Sequence, residues 1–217
     1  MFLLITMHKF KSAYKILFLV LAGYYTSANA QQFHGGITAG LVGSQVAGDT
    51  YSGYKKAGIY AGGYVSLDIS ERSAFQMELT YFQKGTRENP TEKNNYDSYI
   101  FRANYIELPF LYQFKTGSAR NFIIEAGPSA GFLVGYYEER DGLVLINDPD
   151  YNKPASLTLQ FNLGIRWLIS EHFGFDFRTH HSLLNIRTKN VTGDVWRIWT
   201  WGQFHDALVL SLFYQIR

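Results

Sequence analysis

From Phe122 onward the chain alternates with a period of two. One row runs Phe122, Ile124, Ala126, Pro128, Ala130, Phe132, Val134 and Tyr136. Between them lie Ile123, Glu125, Gly127, Ser129, Gly131, Leu133 and Gly135. From Leu157, the row Leu157, Leu159, Phe161, Leu163, Ile165, Trp167, Ile169 stands against Thr158, Gln160, Asn162, Gly164, Arg166, Leu168. Successive side chains on a strand point to opposite faces, so each segment has one apolar and one polar or small face. The same split recurs in four further segments. They are Phe75–Phe82, Ile106–Lys115, Phe173–Arg178 and Leu208–Arg217. Two glycine-rich segments, near 33–46 and 57–69, complete a set of eight strands, and their faces are not assigned by the pattern. Connections near 47–56, 85–98, 138–154 and 188–202 are long; those near 70–72, 116–120 and 170–172 are short. Four long loops, three short turns and eight strands match an antiparallel up-and-down barrel with both termini at the short-turn end.

Periodicity does not say which face points outward, so side-chain type decides. A solvated outer face is dense in Lys, Glu and Asp, whereas the polar row here carries Gly, Ser, Thr, Gln and Asn with a few charges of both signs. That suits a crowded lumen. The other row is aliphatic and aromatic, with Tyr and Trp near strand ends, as interfacial girdles require. The expected girdle residues are Tyr112, Trp167, Trp196, Trp199, Trp201 and Tyr214. The fold predicted is therefore an all-β, eight-stranded antiparallel transmembrane barrel. An exported soluble barrel of the lipocalin type is the competing architecture.

Composition adds the route. His8, Lys9, Lys11 and Lys15 precede an apolar stretch from Ile16 to Tyr25, and Ala28-Asn29-Ala30 forms a small-residue cleavage site. This is a secretory signal peptide pattern, too short to span a bilayer as a helix. The expected division is a signal peptide over 1–30 and a barrel domain over 31–217, with Met7 an alternative start. The chain has no cysteine, which excludes lipoprotein acylation, disulfides and thiolate metal sites. The formal charge of +2 includes three leader lysines, leaving −1 on the mature chain and no attraction to nucleic acid. Aromatics at 17% match charged residues at 18%, a balance that suits a membrane barrel better than a water-soluble domain.

Tyr105-Ile-Glu-Leu-Pro-Phe-Leu-Tyr-Gln-Phe114 resembles a segment of the PorT-like outer-membrane barrel family of Bacteroidetes. Glu78-Leu-Thr-Tyr-Phe-Gln-Lys-Gly85 resembles its third strand, Gly127-Pro-Ser-Ala-Gly-Phe-Leu-Val-Gly135 its fifth, and the Gly164 and Arg166 pattern its sixth. The likeness covers nearly the whole mature chain. It implies a small barrel of the OmpX or OmpA type in a Gram-negative outer membrane. One departure is the end, Tyr214-Gln215-Ile216-Arg217, where barrel chains usually finish on an aromatic residue read by the insertion machinery. The expected partners are outer-membrane lipid, that machinery, and an envelope or secretion-system protein which the sequence does not identify.

Given the barrel, Glu78, Glu107, Glu125, Arg166, Asp176 and Arg178 face inward in the lower or middle lumen. Isolated buried charges are costly, so these are expected to pair as a plug; a gate or proton path is the sharper alternative. His180 and Ser182 share a face near the outer end of their strand, a spacing similar to the base and nucleophile of outer-membrane lipid A deacylases. The deacylase pattern does not continue in His180-His-Ser-Leu-Leu-Asn185, so polar lining at the barrel mouth is the reading adopted and the lipid-modifying hydrolase the alternative. His180 and His181 point to opposite faces and cannot share a metal. Asp148, Asp150 and Asn152 begin like a calcium loop, but Lys153 and Leu159 occupy the positions of its glycine and closing carboxylate. Asn190-Val-Thr192 matches a glycosylation triplet of little weight in a bacterium. No cofactor or metal is expected. The function predicted is a non-enzymatic surface barrel with an envelope-structural or binding role exercised through its outer loops.

Overall fold

The computed structural model describes residues 33–187 and 195–216; the expected signal peptide and the Asn190 triplet lie outside them. The strands are β1 (Phe33–Ala47), β2 (Lys56–Asp68), β3 (Ser73–Glu88), β4 (Tyr99–Thr116) and β5 (Phe122–Arg140), followed by the short β6 (Leu143–Val144). Then come β7 (Leu157–Leu168), β8 (Phe173–Ser182), the small β9 (Val195–Arg197) and β10 (Thr200–Gly202), and β11 (Phe204–Ile216). β1, β2, β3, β4, β5, β7, β8 and β11 pair in that cyclic order, all antiparallel, and β1 closes on β11 from Gly35↔Ile216 to Ala47↔Phe204. Closure leaves no unpaired sheet edge among these eight strands.

Burial alternates as the polar and apolar rows require. On β7, Thr158, Gln160, Asn162 and Arg166 are buried while Leu159, Phe161, Leu163, Ile165 and Trp167 are exposed. The glycine-rich strands have defined faces too: Ile37 and Leu41 on β1 and Ile59 and Val65 on β2 face out, whereas Val42, Val46, Tyr60 and Tyr64 face in. Glycine makes room here. A Cβ at Gly36 would sit 2.4 Å from the Tyr64 ring, and one at Gly174 would sit 2.5 Å from the Phe213 ring. An apolar belt around the whole outside cannot face water at this scale, which rejects the lipocalin-like alternative.

Two of the short turns share the sequence Ile-Ser-Glu. The Ser70 hydroxyl accepts the Ser73 amide at 3.1 Å, and Ser170 does the same for Phe173 at 3.1 Å. At this end Phe33, Phe75, Tyr112, Phe114, Phe122, Trp167, Phe173 and Tyr214 face outward as an aromatic ring. Phe122 stacks on Trp167 (5.9 Å) and Phe75 meets Tyr112 edge-on (5.5 Å).

The sequence pattern requires two corrections. The loops expected at 85–98 and 138–154 begin later, because β3 continues to Glu88 and β5 to Arg140, still paired with Tyr99–Asn104 of β4. Strands of this length exceed the 9–11 residues a crossing needs, so they rise above the bilayer. The second concerns parity on β5. Asn104 pairs with Gly135 but Tyr105 with Leu133, leaving Val134 as a bulge. One extra residue exchanges the two faces beyond it. Gly135 therefore turns outward, and Tyr136, expected on the apolar row, turns inward to stack on Tyr151 (5.8 Å).

Candidate functional site in the barrel lumen

The inward rows of β2, β3, β4, β5, β7 and β8 converge on Arg178. Its guanidinium grips Glu78 with two bonds of 2.9 Å, donates to Glu125 Oε1 at 2.7 Å and Asp176 Oδ2 at 2.6 Å, and reaches the Tyr60 hydroxyl at 3.0 Å. Tyr60 donates in turn to Glu78 at 2.6 Å. Arg166 lies over the Phe213 ring at 3.9 Å, donates to Gln76 at 2.5 Å, and stands 3.9 Å from both Glu125 and Asp176. Gln113 bridges Glu125 (2.9 Å) and Gln76 (3.0 Å). Three carboxylates thus face two guanidiniums, all buried, and the Asp176 Oδ1 atom has no hydrogen-bond partner among the described residues.

Five of the six residues expected to pair in the lumen therefore meet in one cluster. Glu107 does not join them. It lies higher, bonded to Lys84 at 2.6 Å and to Gln160 at 2.7 Å, and Lys84 also donates to Gln160 and sits 4.0 Å over the Phe82 ring. Lys84 lies just outside the Phe75–Phe82 segment in which the alternation of β3 is plainest. The same alternation carried two residues further reaches it.

A third layer closes the top. Glu138 accepts from Arg187, from the Tyr99 hydroxyl and from Tyr151 (2.7 Å), while Arg187 donates to Tyr151 at 2.7 Å and lies 4.5 Å over Phe101. Tyr51 stacks on Tyr99 at 4.5 Å and donates to Asp97 at 2.9 Å. Tyr51, Tyr151 and Arg187 come from three different outer connections, so the loops fold inward as a cover. No strand periodicity announces them. Beside Tyr51, burial pushes the Asp49 carboxyl up to about 6, although it accepts the Tyr51 amide at 3.0 Å.

His180 and Ser182 lie beneath this cover and not at an open mouth. They are 1% and 0% exposed. The Ser182 hydroxyl accepts the His205 amide at 3.1 Å, and His180 packs edge-on against Phe82 at 4.7 Å with no hydrogen bond to Ser182 among the described residues. A nucleophile needs a base in hydrogen-bond reach and a path for substrate, and this arrangement offers neither. The first aspartate of the would-be calcium loop is used locally: Asp148 accepts the Asp150 amide at 2.9 Å as an Asx turn.

The girdle residues divide. Tyr112, Trp167 and Tyr214 stand outward on barrel strands at the short-turn end. Trp196, Trp199 and Trp201 do not belong to the wall at all; they sit on the separate β9–β10 hairpin, where Trp196 pairs directly with Trp201. A lone cluster of indoles ahead of β11 carries no period that distinguishes wall from hairpin.

Compared with known proteins, residues 29–187 match the family model described as the outer membrane protein beta-barrel domain. The chain belongs to that family. Its place is the outer membrane, and the apolar belt and closed sheet require a bilayer around it physically. Neisserial surface protein A is similar in fold, with a TM-score of 0.50 at 12% identity, covering 84% of this chain and 96% of that one. Ail, the attachment invasion locus protein of Yersinia pestis, scores 0.46 at 11% identity, covering 85% and 99%. OprG from Pseudomonas aeruginosa scores 0.37 at 12%, covering 85% and 94%. No curated protein matches the chain in sequence.

Proposed function

We propose that this outer-membrane barrel is a non-enzymatic envelope protein of the PorT-like group of Bacteroidetes, closed to solute and working through its outer loops. The observation that carries the reading is the lumen. Ion-paired layers centred on Arg178, on Lys84–Glu107 and on Arg187–Glu138 occupy successive levels; the first crosses the lumen from β8 to Glu78 of β3, the second reaches β7 through Gln160, and the third joins the Arg187 connection to β5. An eight-stranded barrel is just wide enough for side chains to fill, so such layers leave no continuous aqueous path. The motif segments Tyr105–Phe114 and Glu78–Gly85 support the finer group. Outer-leaflet lipid, the insertion machinery and an envelope or secretion-system protein are its partners in this reading. Mature protein starts at Gln31, after export.

The test is conductance. The purified protein in planar bilayers should show no channel events. Arg178→Ala alone should not introduce them, because the two layers above still close the lumen, whereas Arg178→Ala combined with Lys84→Ala and Arg187→Ala should. Open-channel activity of the unaltered barrel would overturn the plug. The hydrolase alternative is checked by mass spectrometry of lipid A, which should be the same in wild-type, deletion and Ser182→Ala cells. An extra acyl chain appearing in both altered strains would reverse the assignment.

A further inference from the structure

Going beyond that reading, we infer that the β9–β10 hairpin is an anchor which folds onto the outside of the barrel and seats three indoles in the outer leaflet beside β8 and β11. Its attachment point is the outer face of the wall. Asp206 and His181 are cross-strand partners whose side chains alternate outward, and they bond at 2.8 Å. Arg197 of the hairpin donates to both Asp206 oxygens at 2.9 Å, to the Ser182 carbonyl at 3.0 Å, and lies 4.9 Å over the Phe204 ring. Asn185 adds a bond to the Trp201 carbonyl at 3.1 Å. The clamp leaves Arg197 and Asp206 mutually neutralised.

Alternation then fixes the other side. Trp196 adjoins Arg197, and its cross-strand partner Trp201 adjoins Thr200, the cross-strand partner of Arg197. Since Arg197 faces the wall, Trp196 and Trp201 face away from it. Trp199 occupies the turn beside Ile198, whose φ of 56° is rare for a β-branched residue. The three indoles are 58%, 83% and 61% exposed.

Depth identifies the occupant. Asp206 to Ile216 is one crossing of strand, about 9–11 residues, so the clamp stands at the upper edge of the apolar belt. Outward residues near this level differ by strand: Gln45 on β1 and Gln83 on β3 are polar, the latter donating to Asn104 at 3.2 Å, whereas Leu157 and Leu159 at the top of β7, the neighbour of β8, are apolar. The first outer connection leans on the same stretch, with the Gly53 amide donating to Gln45 at 2.9 Å and Tyr54 packed over Gly43. The hairpin's apolar side is thus continuous with the lipid-facing belt, at the level where tryptophan is most at home. Pointed into water, three adjoining indoles would be an aggregation liability. Lipid covers them without a partner chain.

The experiment uses the full chain in vesicles of phosphatidylcholine, with Trp167→Phe leaving the hairpin indoles as the emitters. Lipid brominated high on the acyl chain should quench most of their emission, lipid brominated at the chain end much less, and aqueous acrylamide little. Arg197→Gln should exchange this pattern for acrylamide quenching while the heat-modifiable gel shift of the folded barrel persists. Acrylamide quenching in the clamped protein would place the hairpin in water. Protection from both quenchers would mean a protein covers it, including a second copy. Either result overturns the anchor, as does lipid quenching indifferent to Arg197→Gln. Should Trp167→Phe fail to fold, the difference between wild type and Trp196→Phe/Trp199→Phe/Trp201→Phe gives the same readout.

Discussion

Asp49 shows what one carboxyl contributes to the cover over the lumen. Its folded value of about 6 lies above the ordinary 3.8, so the folded loop favours the uncharged form. The sign follows: stabilisation is complete below the ordinary value and is lost as pH rises through about 6. Hydrogen exchange at the Tyr51 amide, corrected for its intrinsic rate, should therefore show the first outer connection loosening between about pH 4 and 6, with no further change above that. Asp49→Asn should abolish that dependence; an unchanged profile would mean another group sets it. Nothing in the sequence singles out Asp49, since its burial is created by loops folding inward. Arg178 is the opposite case. Its position on an alternating row assigns it to the lumen from the sequence alone, and only its choice of partners stays open. Glu107 departs from the expected cluster for a concrete reason: its partner, Lys84, lies two residues past the stretch in which the β3 row is easily followed.

At the level of single strands, β7 is the most legible element, the glycine-rich β1 and β2 leave their faces open, and β5 misleads above its bulge. Twelve residues of strict alternation on β7 admit one orientation. β5 alternates just as well as far as Phe132, but Val134 slips a residue and reverses everything above it. A bulge of this kind depends on the partner strand, so Leu133-Val134-Gly135 carries no local mark of it. The orientation of β7 is open to direct measurement. Leu163 faces the bilayer near mid-height, where an arginine costs about 2–4 kcal/mol. Asn162 is buried in the lumen and donates to the Gly127 carbonyl at 3.1 Å. Losing that bond costs about 1 kcal/mol. Unfolding free energies in lipid vesicles should rank Leu163→Arg well below Asn162→Ser in stability. The reverse order would invert the faces.

On the scale of the whole barrel, the pairing of β1 with β11 is the step that makes a tube from a sheet. Gly40 sits in this seam, where a Cβ would meet the Leu210 carbonyl at 2.3 Å and Ser211 Cα at 2.5 Å. Gly43, three residues on, has its nearest neighbour at 3.5 Å. Gly40→Val should therefore block closure and abolish the heat-modifiable form, whereas Gly43→Ala should close normally. Equal behaviour would show that the seam adapts. The seam also sets a timetable. Its two strands lie at opposite ends of the described chain, so their contacts are among the most distant in sequence and the slowest to find. Until Phe204–Ile216 arrives, β1 and β8 both present open edges that invite the wrong neighbour. The molecule spends its vulnerable interval as an unfinished sheet, and that interval ends only when its last strand has been delivered.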